Sequence, residues 1–221
     1  MIKLTNISKT YCNDSLKTEA LREVNLSIAQ GDYVSVMGPS GSGKSTLLHI
    51  IGAMDIPTEG EYRFNEMKVS SMKGKELHRF RANNIGFVFQ NFALMKYYTV
   101  AENISMPLKC KGLSAKEING KVEELLKQFG ILAEKEKLVT HISGGQQART
   151  AIARAIATDA PVILADEPTG SLDSRTGEEV LKLFDALHEA GKTIIIVTHD
   201  PKVAEHAKRR LVVEDGRVRE G

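Results

Sequence analysis

The run Gly38-Pro39-Ser40-Gly41-Ser42-Gly43-Lys44-Ser45-Thr46 places glycines, one lysine and two hydroxyls at the spacing G-x-x-x-x-G-K-[ST]. Glycines let the backbone take dihedrals that other residues avoid and come close to a ligand. Successive N–H groups and the positive end of a following helix then converge on one anion. This is the chemistry that holds the phosphates of a nucleotide. Lys44 adds a full positive charge, and Ser45 is placed to ligate a magnesium ion bridging the last two phosphates. A flexible Gly/Ser loop is the plainer reading. It does not account for Lys-Ser-Thr at this spacing, with Tyr33 to Met37 reading as a short strand before and Thr46 to Ile51 as the start of a helix after.

Two carboxylates supply what a phosphate loop lacks. Val162-Ile163-Leu164-Ala165-Asp166-Glu167 is an uninterrupted apolar run ending in acids, the pattern of a strand buried on both faces of a parallel sheet. Asp166 can reach the magnesium shell beside Ser45. Glu167, one residue further on, can orient a water and take its proton during attack on the γ-phosphorus. Thr193 to Thr198 is a second buried strand, and it delivers His199 to the same edge. A single histidine is usually structural, but at the ligand-binding end of a core strand a γ-phosphate contact is the better reading. Gln90, at the end of the strand Asn84 to Phe89, reads equally as a ligand-contacting group or a loop-capping amide.

Ser143-Gly144-Gly145-Gln146 opens a helix through Ala151, Ile152, Ala153, Ala155 and Ile156. Ser143 and Gln146 read as a capping box. Two glycines in a first helical turn cost about 1 kcal/mol each relative to alanine, and bared amides beside a serine hydroxyl make a second anion-binding surface, so phosphate contact is favoured over capping alone. Tyr11, in the polar stretch Lys9-Thr10-Tyr11, offers a ring that can stack on a base. A loop tyrosine covering the edge of the core explains it equally well.

The elements that must position these groups follow from periodicity. Ile2 to Ile7 and Val24-x-Leu26-x-Ile28 alternate as half-buried strands, and Glu61 to Phe64 returns as another. Lys73 to Arg81 is a short charged helix. From Asn91 to about Ala157 the pattern turns helical: Ser114-x-x-Glu117 is a capping box, and Ile118, Val122, Leu125, Leu126 and Phe129 follow as a subdomain core before Gly130 stops the run. Thr176-x-x-Glu179 caps a helix with Val180, Leu183, Phe184 and Leu187 inward. Asp200-Pro201 starts another, and Asp215-Gly216 turns a final hairpin.

Composition narrows the class. The 221 residues suit one large α/β domain with room for an inserted subdomain. Thirty basic against 28 acidic residues give a net charge of +2 and no electrostatic case for nucleic acid. The longest basic cluster, Lys208-Arg209-Arg210, reads as a solvated helix end. Cys12 and Cys110 lie far apart and imply neither disulfide nor metal, and the histidines at 49, 78, 141, 188 and 206 have no metal-ligand spacing. No segment has the apolar length to span a bilayer, and Met1 to Asn6 lacks the apolar core of a signal peptide.

Phosphate loop, Gln90, Ser143 to Gln146, Asp166-Glu167, Ser171-Leu172-Asp173 and His199, in this order and at these distances, resemble the nucleotide-binding subunit of an ATP-binding cassette (ABC) transporter. Ile85 to Gln90 and Ala165 to Asp173 look like the bacterial branch of macrolide exporters, lipoprotein-release, cell-division and antimicrobial-peptide efflux ATPases. Ile142 stands where the signature has leucine. Ala148 and Thr150 stand where that branch often has glutamine and valine, on a helix surface the resemblance gives to a partner.

The resemblance implies a P-loop NTPase (RecA-like) α/β fold with a parallel core sheet, an N-terminal antiparallel β subdomain and an inserted helical subdomain. Residues 1–90 and 158–221 would form the core and 91–157 the helical part. It implies ATP and Mg²⁺, with Gln90 joining Ser45 and Asp166 at the metal, and Lys44, Gln90, Glu167 and His199 acting in hydrolysis. It lifts Tyr11 to a nucleotide contact. It also implies a homodimer in which Ser143 to Gln146 of a second copy close over the γ-phosphate, with Asp173 at the interface. The partner would be a transmembrane permease, the only route to the membrane, on the cytoplasmic face. A soluble ribosome or DNA-end cassette and a regulator of wall enzymes are the alternatives.

Overall fold

The computed structural model describes residues 1–13 and 16–221. Strands β1 (Ile2–Asn13) and β2 (Leu16–Ile28) form a long antiparallel pair. Then come β3 (Tyr33–Met37), α1 (Lys44–Ile51), β4 (Glu59–Phe64), β5 (Met67–Lys68), α2 (Gly74–Asn84) and β6 (Ile85–Val88). The helical stretch holds α3 (Val100–Cys110), α4 (Ala115–Gln128) and α5 (Gly144–Ile156). The chain closes with β7 (Val162–Asp166), α6 (Ser174–Glu189), β8 (Thr193–Val197), α7 (Pro201–Glu205), β9 (Arg209–Glu214) and β10 (Arg217–Glu220).

Two sheets result. One is antiparallel, in the order β2-β1-β4-β5; the other runs β10-β9-β3-β8-β7-β6, parallel except for the edge hairpin strand β10. This is the expected α/β architecture, with a parallel core sheet, an N-terminal antiparallel sheet and helices between β6 and β7.

The period of two along the central strands sorts side chains onto the two faces. Ile163, Ala165, Ile194 and Ile196 pack with α3, α4, α5 and α6, while Val162, Leu164, Ile195 and Val197 pack with α1 and the antiparallel sheet. All eight are essentially inaccessible to solvent. Ile118, Val122, Leu125, Leu126 and Phe129 therefore do not form a separate core. They are continuous with one face of the parallel sheet, because α5 lies directly against it.

Other local expectations shift. The cap of α6 is Asp173, whose carboxylate accepts from the Thr176 N–H and hydroxyl, rather than Thr176 itself. Lys208-Arg209-Arg210 leads into β9 instead of ending a helix, and Arg209 pairs with Glu220 and Asp32 and donates to Ser27 O. Helix α3 carries a Thr99–Glu102 capping box that the sequence reading passed over.

Helix α5 presses on β6 where Gly86 stands: a Cβ there would lie 2.3 Å from Ala155 O. A backbone oxygen on a helix cannot step aside cheaply. Gly86→Ala is expected to cost about 1–3 kcal/mol, read by thermal unfolding as a Tm lowered by several degrees. An unchanged Tm would mean that β6 and α5 can separate freely.

Candidate functional site

The parallel strands end at one edge, and register fixes what they present there. Asp166 pairs with Val197, Val36 pairs with Val197 across the other side, Glu167 N–H donates to Val197 O, and Thr198 N–H donates to Val36 O. The loop after β3 and the acids after β7 are thus brought round a single cavity of about 1020 Å³. It is lined by Gly38 to Thr46, Gln90, Asp166, Glu167 and His199.

Within the loop, Gly43 precedes α1 at φ 109, and a Cβ there would stand 2.4 Å from Ala20 O, so no other residue fits. The N-terminus of α1 opens with Lys44 and has no side-chain cap, which leaves its amides for an anion. Lys44 Nζ donates to Gly38 O at 2.8 Å and Pro39 O at 2.6 Å. The Ser42 hydroxyl is buried in this cradle without a partner among the described residues. An anion carrying several acceptor oxygens fits all three features.

The acids differ in setting. Burial pushes the Asp166 carboxyl up, hydrogen bonding from Ser45 works against this, and the neighbouring Glu167 charge adds to the rise. A divalent cation between Ser45 and Asp166 would supply the missing countercharge. Among the described residues no group of three or more His, Cys, Asp or Glu could hold a metal alone. Such an ion would take further oxygens from a phosphate chain and water, the habit of magnesium.

Glu167 sits at φ 45, and its carboxylate is fixed by three groups: Thr198 Oγ1 donates to Oε2 at 3.2 Å, and His199 N at 3.0 Å and His199 Nδ1 at 2.6 Å meet Oε1. His199, expected at the γ-phosphate, here holds Glu167, with its ring largely exposed toward the cavity. Gln90 is exposed and lines the same cavity, two residues past the end of β6, the strand beside β7.

Tyr11 lies on β1, not in a loop. Its hydroxyl donates to Asp55 Oδ2 at 2.8 Å, and Lys9, itself 2.6 Å from Asp55 Oδ1, sits over one ring face. Tyr11 does not line the cavity, whereas its cross-strand partner Thr18 does. Sequence reasoning missed Thr18, Glu19, Ala20 and Arg22 of β2 as walls, and gave Asp215 and Gly216 only as a hairpin turn. Spacing carried no signal for any of them.

Ser143 to Gln146 and Asp173 lie elsewhere. With Arg149, Leu172 and Thr176 they line a second, open cleft of about 560 Å³ that shares no residue with the first. The capping box forms here: Ser143 Oγ accepts from Gln146 N, and Gln146 Oε1 accepts from Ser143 N. Gln146 Nε2 donates to Glu134, so its side chain is engaged within its own chain. The glycines have a packing reason as well, since a Cβ on Gly145 would stand 2.7 Å from Thr176 Cγ2. Ala148 and Thr150, expected on a partner-facing surface, are buried, and the Thr150 hydroxyl donates to Gln146 O.

A cradle for several phosphate oxygens, a half-buried acid beside a hydroxyl and a fixed carboxylate define a nucleotide-hydrolysing site. The chain matches the family model described as ABC transporter over residues 21–170. It is 47% identical to the ABC transporter ATP-binding protein MJ0796 of Methanocaldococcus jannaschii, over 99% of this chain and 95% of that one. It is 38% identical to the macrolide export ATP-binding/permease protein MacB of Campylobacter fetus, over 99% of this chain but 34% of that protein. A solved dimeric post-hydrolysis state of the MJ0796 cassette, bound to ADP and Pi, superposes with a TM-score of 0.92 at 45% identity, covering 100% of this chain and 98% of that one. The chain belongs to the ABC transporter family as its ATP-binding, ATP-hydrolysing domain. Among the described residues no helix is long and apolar enough to cross a membrane.

Proposed function

We propose that two copies of this chain pair head to tail around two ATP-Mg²⁺ and drive a membrane permease from the cytoplasmic face, with export or release of a lipophilic or peptide substrate as the output. One observation carries the pairing. The phosphate cradle and the Ser143–Gln146 cleft are both open and have no residue in common. A two-fold axis that sets one cleft over the other copy's cradle completes both sites at once.

In each site Gly38 to Thr46 hold the phosphates, with Lys44 as the mobile charge. Ser45, Asp166 and Gln90 would hold the magnesium, which screens the phosphate charge when bound. Glu167, oriented by Thr198 and His199, accepts the proton of the attacking water. Tyr11, held by Asp55, offers its other face to the adenine. Ser143 to Gln146 and Asp173 of the second copy close the site. Residues 91–157, the proposed helical unit, would carry closure to the permease. Support for the permease and for export comes from the likeness to MacB, whose name joins an ATP-binding part to a permease and to macrolide export.

Pairing is tested by mixing two dead variants. Lys44→Ala disables the cradle, and Ser143→Arg blocks the cleft. In a head-to-tail pair of unlike chains both lesions fall in one site, and the other is intact. An equal mixture is expected to recover about a quarter of the parental turnover, since half the pairs are mixed and each has one sound site. A mixture as inactive as its components would refute composite sites. Isolation of the chain bound to a membrane protein, with cargo flux in vesicles containing both, tests the transport reading; ATP turnover without flux would favour regulation of a partner.

A further inference from the structure

The ring of Tyr11 is held more firmly than an exposed strand residue needs to be. It is 40% exposed, yet its hydroxyl donates to Asp55 Oδ2 at 2.8 Å, and one ring face lies under Lys9 Nζ, 4.9 Å from the centroid. Lys9 in turn donates to Asp55 Oδ1 at 2.6 Å and to Ile56 O at 2.8 Å, and its side chain is only 13% exposed. Burial disfavours the Asp55 charge, but hydrogen bonds from Lys9, Tyr11 and the Ile56 N–H outweigh it and hold the carboxyl below its usual range. Tyrosine, lysine and aspartate thus form one network in which both carboxylate oxygens are used.

Joining β1 to the chain after α1 does not require this network. Thr58 N–H already donates to Ser8 O at 2.9 Å, and Thr10 N–H to Thr58 Oγ1 at 3.0 Å. Drawing an ammonium and a carboxylate out of water is costly, and such a pair is explained by what it fixes. What it fixes is the ring. That ring borders the phosphate cavity at Thr18, its cross-strand partner, and at Thr46, which acts on its hydroxyl from close by. Asp55 is itself tied to α1, since Met54 N–H and Asp55 N–H both donate to His49 O in the last turn of that helix. Eight helical residues span about 12 Å. One short helix therefore has the phosphate-binding amides at its start and the tether of the Tyr11 ring at its end.

The geometry points to Asp55 and Lys9 as positioning residues for the base: the carboxylate holds the Tyr11 hydroxyl and the ammonium covers one ring face, so that only the other face is presented to the adenine, at a distance from the phosphate loop set by α1. Neither residue touches the nucleotide or the metal, and both act only through the ring. Untethered, the ring is free to turn about its side-chain bonds, and ordering it again on binding weakens the hold on the base. This rests on the proposed stacking of the adenine on Tyr11, and the experiment separates the two.

The test is calorimetric titration of the full chain with a non-hydrolysable ATP analogue and with inorganic tripolyphosphate, which has the phosphates but no base, alongside steady ATP turnover. Tyr11→Ala is expected to weaken the analogue about 5- to 100-fold, the range of a base stacked on an aromatic ring, and to leave tripolyphosphate within about twofold. Asp55→Ala is expected to show the same selectivity, with the analogue at least about threefold weaker, tripolyphosphate unchanged, and KM for ATP raised while kcat stays within about twofold. In a Tyr11→Ala background the same substitution is expected to change analogue affinity less than about twofold, because the group it positions is already gone. A merely structural role, such as a shift of α1, would weaken analogue and tripolyphosphate in parallel or give equal losses in both backgrounds, and either result overturns the inference. Asp55→Asn keeps an acceptor for the Tyr11 hydroxyl without the charge that holds Lys9, and serves if the alanine variant does not fold. It is expected to lose part of the analogue affinity in the parent and none in the Tyr11→Ala background, and equal losses would again refute it. If Tyr11→Ala leaves analogue affinity unchanged, the proposed stacking fails, and this inference fails with it. If Tyr11→Ala weakens the analogue but Asp55→Ala does not, only the assignment of Asp55 and Lys9 is lost.

Discussion

Glu167→Gln is expected to lower steady ATP turnover about 10²- to 10⁴-fold, the range a positioned general base supplies, and to leave nucleotide binding intact. The geometry explains why the two effects separate. The carboxylate hangs from Thr198 Oγ1, His199 N and His199 Nδ1, and a glutamine carbonyl of the same size can keep the main-chain bond to His199. What it loses is the capacity to accept a proton from water. It also removes one negative charge from a cavity that takes a polyphosphate, so affinity should hold or rise. With hydrolysis stalled, the closed pair is expected to accumulate, because in the proposed cycle phosphate release reopens it. Phosphate release at saturating ATP gives the first quantity, and size-exclusion chromatography with and without ATP gives the second. Turnover at the parental rate would place the base on another residue.

Lys44→Ala should also lose turnover, but unlike Glu167→Gln it should weaken nucleotide binding as well. In the free chain the ammonium already bonds Gly38 O and Pro39 O, so binding exchanges two carbonyl acceptors for phosphate oxygens. The net worth of such charged hydrogen bonds is about 1.5–3 kcal/mol, which converts to an affinity for ATP about 10- to 100-fold weaker. Binding should not vanish, since the uncapped amides of α1 remain. Titration with a fluorescent nucleotide reads the shift directly. An unchanged affinity would show that the loop backbone alone carries the phosphates. Together the two variants separate holding the triphosphate from breaking it.

Much of this site could be read before any coordinates, for a physical reason: the phosphate loop is a local object. Its strand, turn and helix are contiguous in sequence, and the dihedral needs of Gly43 and the charge of Lys44 are expressed in residue type. The same holds for the acids after β7, where an apolar run long enough to be buried on both faces must end at the sheet edge. Capping boxes at Ser114 and Ser143 were legible because four adjacent residues satisfy each other.

What eluded the sequence was everything set by contacts between distant segments. The walls from β2, the pairing of His199 with Glu167, and the tether of Tyr11 to Asp55 depend on groups 32 to 44 residues apart or on a different sheet. Arg154 reaches a loop 61 and 62 residues away. Ala148 and Thr150 were assigned to a surface because a helical period gives the apolar face but not which further residues a neighbouring helix will cover. Residue order alone determined that this chain binds polyphosphate at the edge of a parallel sheet and has the groups to hydrolyse it. Only the folded arrangement decided that Ser143 to Gln146 lie in a separate cleft, because the direction in which a helix points depends on packing against the whole core and not on the residues that begin it.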